Sequence, residues 1–267
     1  MPEPAGSAIP VSVAMATYNG SAHVAEQLDS ILEQLGPHDE VVVVDDASTD
    51  ATREVLAAVD DPRVRVILSP VNRGYVRAFE TAIASTRGEA VLLSDQDDVW
   101  LPGRRDAMAA ALRDHQVVVT NLATLGGPDS LRGPFGQHDW KLGPGDDERR
   151  AANLAGIVAG LKPYYGCAMG VRRDALATVL PFPPHLVESH DLWLAMYGNL
   201  VGSIAHLDIR SLARRLHDDN ATPTRPRGPR AVLASRVRLV RALLTLGRRT
   251  RRQARSAGRG GVSREGA

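Results

Sequence analysis

The first half of the chain alternates short apolar runs with amphipathic stretches of helical spacing. The clearest run, at 41–44, is four consecutive valines, which is typical of a strand buried on both faces. Strands that alternate with helices form βαβ units, so the pattern predicts an α/β fold with a parallel, doubly wound sheet. The predicted strands lie at 11–16, 41–44, 64–68, 90–93 and 117–120, and the predicted helices at 21–35, 48–59, 74–86 and 104–113.

Beyond residue 120 the alternation is lost. A Gly-, Pro- and Asp-rich stretch at 126–147 predicts a long loop, a type of segment that often forms a functional lid. Further helices are predicted at 153–161, 191–200 and 231–252, and short strands at 164–171 and 204–207. The chain then divides into a flexible N-terminus at 1–10, a main domain at 11–220, a Pro-rich linker at 221–230, and a basic amphipathic helix with a disordered tail at 231–267.

Charge is distributed unevenly along the chain. The formal net charge is +1, with 32 basic and 31 acidic residues, yet residues 225–267 hold 13 arginines and one acid, Glu265. Residues 1–224 therefore carry 19 basic and 30 acidic side chains, which makes the chain an acidic body with a basic tail. The single cysteine, Cys167, excludes an intramolecular disulfide. With no signal peptide and no apolar stretch of about 18 residues in the sequence, we expect a cytoplasmic protein.

A cluster of acids follows the predicted strand at 90–93, in the sequence Ser94-Asp95-Gln96-Asp97-Asp98. In an extended segment Asp95 and Asp97 point to the same side, where two carboxylates can approach a divalent ion or a ribose. Mg²⁺ or Mn²⁺ binds few protein carboxylates and shares phosphate oxygens, so the natural ligand is a diphosphate. The alternative is a solvated acidic turn that caps the next helix.

Two other polar strand ends are expected beside this cluster. The first strand runs into Thr17-Tyr18-Asn19 and the second into Asp45-Asp46. Ligands of doubly wound sheets lie beyond the carboxyl ends of the strands, so this convergence favours the cation site over the acidic turn. Asp46 is a candidate for binding the nucleoside. Gly74, after the third strand, either permits close approach of a ligand or forms a plain turn.

Asp191 and His217 are the downstream candidates. An Asp at a helix start is most often a cap, and the functional alternative is a general base aimed into the cleft. A lone His is usually surface or core filler, whereas beside a metal and a diphosphate His217 would ligate the ion. The neighbouring Arg214 and Arg215 carry charge that would neutralise phosphate.

These segments, in this order, resemble the family 2 glycosyltransferases of GT-A fold, a Rossmann-like α/β fold with a mostly parallel central sheet. The form from Ser94 to Trp100 is most similar to bacterial rhamnosyltransferases of surface-polysaccharide assembly. The resemblance covers roughly residues 11–220 and continues through Tyr165-Gly166-Cys167-Ala168-Met169, His190-Asp191-Leu192-Trp193 and Arg215-Leu216-His217-Asp218-Asp219-Asn220.

The resemblance implies an inverting transferase that moves one sugar to a glycan or lipid-linked glycan acceptor. The implied donor is dTDP-rhamnose, with a UDP-hexose as the alternative. Mg²⁺ or Mn²⁺ is the implied cofactor, held by Asp97 and His217, and Asp191 is the implied general base. The implied donor site is Ala16, Thr17, Tyr18, Asn19, Asp46, Asn72, Gly74, Asp95 and Gln96, and the implied acceptor pocket is Tyr165, Trp193 and Trp100.

Two other functions stay open on the sequence. A sugar nucleotidyltransferase has a similar sheet but carries a Gly-rich, basic phosphate loop after the first strand. Here that place is Ala16-Thr17-Tyr18-Asn19-Gly20, without a basic residue. A non-catalytic nucleotide-binding protein would tolerate the loss of Asp97 and Asp191.

The basic tail predicts a partner surface. Apolar residues and arginines mix at helical spacing through 231–252, so an amphipathic helix with a cationic face is expected. Such a helix lies on an anionic membrane surface at the inner face of the cell membrane, packs on the body, or pairs with a second subunit in a homodimer. No nucleic-acid partner is expected, because no aromatic residues interleave with the arginines.

Overall fold

The computed structural model of the chain describes residues 9–127, 130–131, 133, 136–215 and 228–261. Within these residues the chain forms eight strands and eight α-helices. The strands are β1 (Val11–Thr17), β2 (Glu40–Asp45), β3 (Val64–Leu68), β4 (Ala90–Ser94), β5 (Val99–Trp100), β6 (Val117–Thr124), β7 (Met169–Arg172) and β8 (Ile204–Arg214). The helices are α1 (Val24–Leu32), α2 (Thr52–Ala57), α3 (Tyr75–Ser85), α4 (Arg104–Asp114), α5 (Arg150–Ala159), α6 (Leu176–Val179), α7 (His190–Val201) and α8 (Pro229–Gly261).

The strands form one sheet in the order β3-β2-β1-β4-β7-β6-β8-β5. β3, β2, β1 and β4 are parallel to one another, and so are β6 and β8. β7 is antiparallel to both β4 and β6, and β5 is antiparallel to β8. The predicted α/β fold with a mostly parallel sheet is confirmed. The antiparallel direction of β5 and β7 was not predicted, because hydrophobic periodicity carries no information on strand direction.

Side-chain alternation along β1 divides the core into two layers. Val13 and Met15 pack on one side of the sheet with α1 and α4, while Ala14 and Ala16 pack on the other side with α3 and α7. Successive strand residues point to opposite faces, so a strand that is buried on both sides feeds both layers. Because β2, β1 and β4 are parallel neighbours, their carboxyl ends meet at one edge of the sheet.

Two strands are longer than the sequence predicted. β6 extends to Thr124 instead of residue 120, and β8 extends to Arg214 instead of residue 207. The two strands pair in parallel from Val117 and Ile204 to Thr124 and Arg214, with an irregularity at Asn121. Polar residues in this ladder broke the apolar pattern, while the backbone pairing continued through them.

The C-terminal helix is also longer than predicted. α8 begins at Pro229, which the sequence had assigned to the linker. Proline is favoured at the first position of a helix, where its missing N–H has no helical partner to lose. Residues 1–8 of the N-terminus, 221–227 of the linker and 262–267 of the tail lie outside the described residues, so predictions for them stay predictions.

Gly198 tests how closely α7 packs on the sheet. A Cβ at Gly198 would lie 2.9 Å from Val117 Cβ and 3.0 Å from Ile204 Cβ. We therefore expect Gly198→Ala to lower the free energy of unfolding by about 1–3 kcal/mol, because overpacking displaces the helix. A Cβ at Gly247 in α8 would meet nothing within 4 Å. Gly247→Ala is expected to raise that free energy by about 0.5–1 kcal/mol, because it removes the entropic cost of a helical glycine. Urea denaturation measures both, and equal effects would contradict this packing.

Candidate active site

A cavity of about 470 Å³ opens at the carboxyl ends of β1, β2 and β4. The start of α3, the turn before β7 and the start of α7 also contribute to its walls. Most of the predicted site residues line it, namely Ala16, Thr17, Tyr18, Asp46, Asn72, Gly74, Asp95, Gln96, Asp97, Tyr165 and Asp191. The fold therefore brings the polar strand ends and the downstream Asp191 into one cavity, while the role of each residue stays a prediction.

Asp46 organises the loop that follows β3. Its carboxylate accepts hydrogen bonds from the backbone N–H of Arg73 at 2.9 Å and of Gly74 at 2.7 Å. Gly74 has a φ of +84°, in the left-handed region that favours glycine. The end of β2 thus holds this loop at the cavity edge, and Asn72 and Gly74 join the lining.

Gln96 joins the loops that follow β1 and β4. Its Oε1 accepts a hydrogen bond from the backbone N–H of Tyr18 at 2.8 Å, and its Nε2 donates to the carbonyl oxygen of Tyr18 at 3.2 Å. In this pair of hydrogen bonds, one side-chain amide satisfies both the backbone N–H and the backbone carbonyl of Tyr18. Gln96 therefore fixes the relative position of the two strand ends that the sequence predicted to converge.

Three predicted site residues do not line the cavity. Asn19 accepts hydrogen bonds from Thr49 and shapes the neighbouring loop instead. Trp100 is 3% exposed and packs in the core on the α1 and α4 side. Trp193 is fully buried, and its Nε1 donates to the carbonyl oxygen of Val179 at 3.1 Å. Neither tryptophan therefore lines this cavity, and the acceptor-pocket role of both stays a prediction. His217 lies outside the described residues.

The acid cluster concentrates negative charge away from water. Asp95, Asp98 and Cys167 offer ligand atoms that lie within 4.8 Å of one another. Burial and the charges of Asp98 and Asp97 raise the pKa of Asp95 well above its ordinary value. Burial also raises the pKa of the Cys167 thiol, so the sulfur stays protonated and is a poor ligand for a hard cation. The carboxylates are left as the groups suited to Mg²⁺ or Mn²⁺.

Asp98 has a larger part in this cluster than the turn role that its sequence position suggested. It is 3% exposed, and its Oδ1 accepts a hydrogen bond from the backbone N–H of Arg215 at 3.2 Å. Its Oδ2 is buried and receives no hydrogen bond from the part of the chain that the structure describes. A buried carboxylate oxygen without a donor is costly, and a bound cation would satisfy it.

A buried arginine lies behind the cluster. Arg104 is fully buried at the start of α4, and its guanidinium donates to Ser211 Oγ and to the carbonyl oxygens of Leu93 and Cys167. The guanidinium also lies 4.6 Å from the centre of the Trp100 ring. Burial lowers the pKa of Arg104 to about 10, so it remains charged at neutral pH. No sequence pattern singled out Arg104, because a charged residue at a helix start is usually exposed.

Arg214 brings positive charge to the cavity itself. Among the described residues that line the cavity, it is the one arginine or lysine. Its guanidinium lies 5.8 Å from the centre of the Tyr165 ring, and its charge offsets part of the rise that burial causes in the pKa values of Asp95 and Asp191. The sequence had suggested Arg214 as a phosphate partner, and its position in the wall is compatible with that role.

Asp191 is held at the start of α7 by the backbone around it. Ser189 has a φ of +63°, and its N–H donates to Tyr75 Oη at 3.0 Å. Asp191 Oδ1 accepts a hydrogen bond from the backbone N–H of Leu192 at 2.8 Å. Burial raises the pKa of Asp191 to about 6. A carboxylate with such a pKa is a stronger base than an exposed aspartate and is still mostly ionised at neutral pH.

His190 supports this wall of the cavity. Its ring stacks on Phe79 with the ring centres 4.3 Å apart, and burial lowers its pKa to about 3. It is therefore neutral at physiological pH and adds no charge beside Asp191. Phe79 and Tyr75 of α3 line the same cavity and were missed by the sequence interpretation, because aromatic residues of an amphipathic helix look like ordinary core residues.

The comparison with known families decides the class of protein. The model of glycosyl transferase family 2 matches residues 12–180, which is more than half of the chain. The chain belongs to glycosyltransferase family 2. The matched segment of this glycosyltransferase contains most of β1, all of β2, β3 and β4, the acid cluster and β7, and these elements supply most of the cavity walls.

Curated relatives of this family 2 glycosyltransferase are named for polysaccharide and glycan synthesis. It is 39% identical over 125 residues to the succinoglycan biosynthesis protein ExoO of Rhizobium meliloti (strain 1021), covering 46% of this chain and 36% of that protein. It is 25% identical over 107 residues to the UDP-Glc:alpha-D-GlcNAc-diphosphoundecaprenol beta-1,3-glucosyltransferase WfgD of Escherichia coli, covering 40% of this chain and 42% of that protein. The chain thus spans less than half of the length of either relative.

Two solved structures share the fold of this chain. S. aureus TarS 1-349 in complex with UDP-GlcNAc has a TM-score of 0.64 at 20% identity, covering 90% of this chain and 72% of that chain. Glucosyl-3-phosphoglycerate synthase from Mycobacterium tuberculosis, in complex with Mn²⁺, UDP and glucosyl-3-phosphoglycerate, has a TM-score of 0.56 at 21% identity, covering 89% of this chain and 80% of that chain. These likenesses confirm the predicted GT-A fold.

Among the described residues, no helix is both long and apolar enough to span a membrane.

Proposed function

We propose that this family 2 glycosyltransferase inverts configuration as it moves one sugar from a nucleoside diphosphate sugar to a hydroxyl of a glycan or lipid-linked glycan. The observation that carries the proposal is the cavity in which Asp46, Asp95 and Asp97 meet Asp191. Sugar transfer needs groups that hold the nucleotide and diphosphate, and a base for the acceptor hydroxyl. The name of ExoO supports a role in polysaccharide synthesis, and that of WfgD supports a diphosphate-lipid acceptor.

The strand ends are assigned to the nucleotide. Asp46 and the backbone around Tyr18 are proposed to bind the base, and Asp95 the ribose. UDP is the first candidate, because the TarS and glucosyl-3-phosphoglycerate synthase structures contain UDP-GlcNAc and UDP. dTDP-rhamnose, suggested by the segment from Ser94 to Trp100, stays a prediction and the second candidate.

The residues of the acid cluster fit a divalent cation. Asp97 would hold Mg²⁺ or Mn²⁺ at the cavity, and the orphaned oxygen of Asp98 fits the same ion. The Mn²⁺ bound with UDP in the mycobacterial neighbour supports this choice. When bound, such an ion supplies positive charge for the departing diphosphate. His217 stays a predicted ligand of the same ion, through its imidazole nitrogen.

The reaction is proposed as a single displacement. Asp191 takes the proton of the acceptor hydroxyl, the hydroxyl oxygen bonds to the anomeric carbon, and the nucleoside diphosphate leaves from the opposite face. Arg214 lies in the same cavity and places a fixed positive charge near the leaving group. One base on one face gives inversion, and no carboxylate nucleophile is required.

The nucleotidyltransferase alternative is not supported by an observation in this structure. The loop after β1 contains no basic residue, and the family match identifies a glycosyltransferase. The non-catalytic alternative conflicts with the same match.

Ligand-induced stabilisation tests the proposed donor. The melting temperature of the full chain is measured with UDP-, dTDP- and GDP-sugars, each with and without Mn²⁺. A ligand that binds only the folded state stabilises by about 2.7 kcal/mol at a hundredfold excess over its Kd. We expect stabilisation by UDP-sugars with Mn²⁺ and little by GDP-sugars. No stabilisation by any nucleotide sugar, or release of pyrophosphate from a nucleoside triphosphate, would contradict the proposal.

The rate of transfer is expected to rise with pH through about 6. Asp191 acts as a base only when ionised, and its pKa is raised to about 6 by burial. The rate is therefore expected to be about one tenth of its maximum at pH 5 and close to its maximum above pH 7. The measurement is kcat/KM for the acceptor at saturating donor and Mn²⁺, so that donor-binding groups are already occupied. A rate that is flat between pH 5 and 7 would contradict the assignment of this base.

A further inference from the structure

One face of helix α8 is buried against the rest of the domain. Ser235, Leu239, Ala242 and Leu246 are between 0% and 7% exposed, and the helix packs against α5, α6 and α7. These four positions recur at spacings of four, three and four residues, so they lie on one side of the helix. The inward face therefore accounts for the attachment of α8 to the domain.

The opposite face carries a second apolar stripe. Leu233, Val237, Val240 and Leu244 recur at the same spacings, and they are 65%, 51%, 43% and 56% exposed. Large apolar side chains scattered singly on a surface need no explanation, but a contiguous stripe of them marks an interaction surface. We call these four residues the outer stripe.

The charge around the outer stripe selects its partner. α8 contains ten arginines and no acidic residue. Exposed Arg230, Arg241 and Arg248 lie beside the outer stripe on the surface of the helix. A second copy of α8 laid along the stripe would bring arginine against arginine, because neither helix has an acid to offer. The surface fits a partner that is apolar inside and anionic at its boundary.

We propose that the outer stripe of α8 lies in the interface of a bilayer that contains anionic lipids. An amphipathic helix with an apolar stripe and a cationic border buries the stripe at the boundary of the acyl chains. The arginines reach the lipid phosphates through their long stems, and each one near an anionic surface strengthens binding by about fivefold.

The position of α8 connects this surface to the cavity. Arg238 Nη2 lies 2.6 Å from Oε1 of Glu188, and Glu188 lines the cavity. A helix seated on the bilayer would therefore be linked to a residue of the cavity wall by one ion pair. This part of the inference rests on the proposed function, for which it favours an acceptor carried on a lipid over one that diffuses freely.

Vesicle binding by the full chain tests the proposal. The probes are phosphatidylcholine vesicles, with and without about one third phosphatidylglycerol, in a cosedimentation assay. We expect binding to the anionic vesicles, weaker binding at high salt, and little binding to the neutral ones. Leu233→Gln with Leu244→Gln is expected to reduce binding at least tenfold at every salt concentration. Arg241→Gln with Arg248→Gln is expected to reduce it about 25-fold at low salt, since two arginines are removed.

Matched variants elsewhere on the surface are the controls. Leu68→Gln with Ile209→Gln removes two exposed apolar side chains outside α8, and Arg87→Gln with Arg113→Gln removes two exposed arginines. Both pairs are expected to bind vesicles like the unaltered chain. Equal binding by the outer-stripe variant and its control would overturn the proposal, as would no binding to anionic vesicles.

Two further readouts separate this inference from its competitors. A dimer in sedimentation velocity that the outer-stripe variant converts to a monomer would mean that a second copy covers the stripe, and would overturn the bilayer proposal. Release of UDP from the donor in solution is expected to persist in all four variants, because none of the changed residues lines the cavity. If the unaltered chain releases UDP but does not bind anionic vesicles, only this inference is overturned. If the unaltered chain releases neither UDP nor dTDP from its donor in the presence of an acceptor, the proposed function is overturned.

Discussion

Asp191→Asn is expected to reduce sugar transfer by about 10²–10⁴-fold, the usual contribution of a positioned general base. Asparagine keeps the shape of the side chain and its oxygen, which accepts the hydrogen bond from the N–H of Leu192, so the start of α7 stays in place. It cannot take a proton from the acceptor hydroxyl. The measurement is the rate of UDP release in the presence of acceptor, together with the Kd of UDP.

The loss is expected in kcat, with donor affinity unchanged, because Asp191 acts on the acceptor and not on the diphosphate. Asp114→Asn is the matched control, since Asp114 is exposed at the end of α4. A normal transfer rate in Asp191→Asn would exclude Asp191 as the base. A large loss of donor affinity would instead place Asp191 on the donor side of the cavity.

Arg104→Met is expected to lower the free energy of unfolding by about 3–5 kcal/mol, the usual cost of removing one partner from a buried set of charges. Methionine retains much of the volume but leaves Ser211 Oγ and the carbonyl oxygens of Leu93 and Cys167 without their donor. It also leaves the acids of the cluster without the positive charge behind them. Urea denaturation at neutral pH measures the loss.

The same substitution at Arg113, on the exposed side of α4, is the control for Arg104→Met. Arg113→Met is expected to change stability by less than about 0.5 kcal/mol, as is usual for surface positions. Mn²⁺ is expected to recover part of the stability of Arg104→Met, because a cation at the cluster replaces some of the lost charge. Equal stability of the two variants would show that Arg104 does not balance the acid cluster.

The sequence predicted much of the cavity because the relevant residues follow strands. Asp46 and Asp97 lie within four residues of the ends of apolar runs, and parallel neighbouring strands bring such ends to one edge of a sheet. Asp191 was predicted from its place at a helix start, and in the structure this residue lines the same cavity. In each of these cases local sequence and sheet topology determine the position together.

The sequence misplaced residues whose surroundings depend on packing. α7 is buried on most of its sides, from Trp193 to Tyr197, so periodicity did not show which side faces the cavity. Trp193 was consequently assigned to a pocket that it does not line. Arg104 was missed because a charged residue is expected to be exposed. Only the packing of α4 against β4 and β8 reveals that this charge is buried. β8 was ended too early because pairing, and not hydrophobicity, continues it to Arg214.

Calorimetric titration of UDP with Mn²⁺ into three forms of the full chain tests the central claim most directly. The claim is that the strand-end acids hold the nucleoside diphosphate while Asp191 serves the acceptor in the same cavity. We expect the unaltered chain and Asp191→Asn to bind UDP equally, and Asp97→Ala to bind it at least tenfold more weakly and without dependence on Mn²⁺. Equal, Mn²⁺-dependent binding by Asp97→Ala would contradict the account.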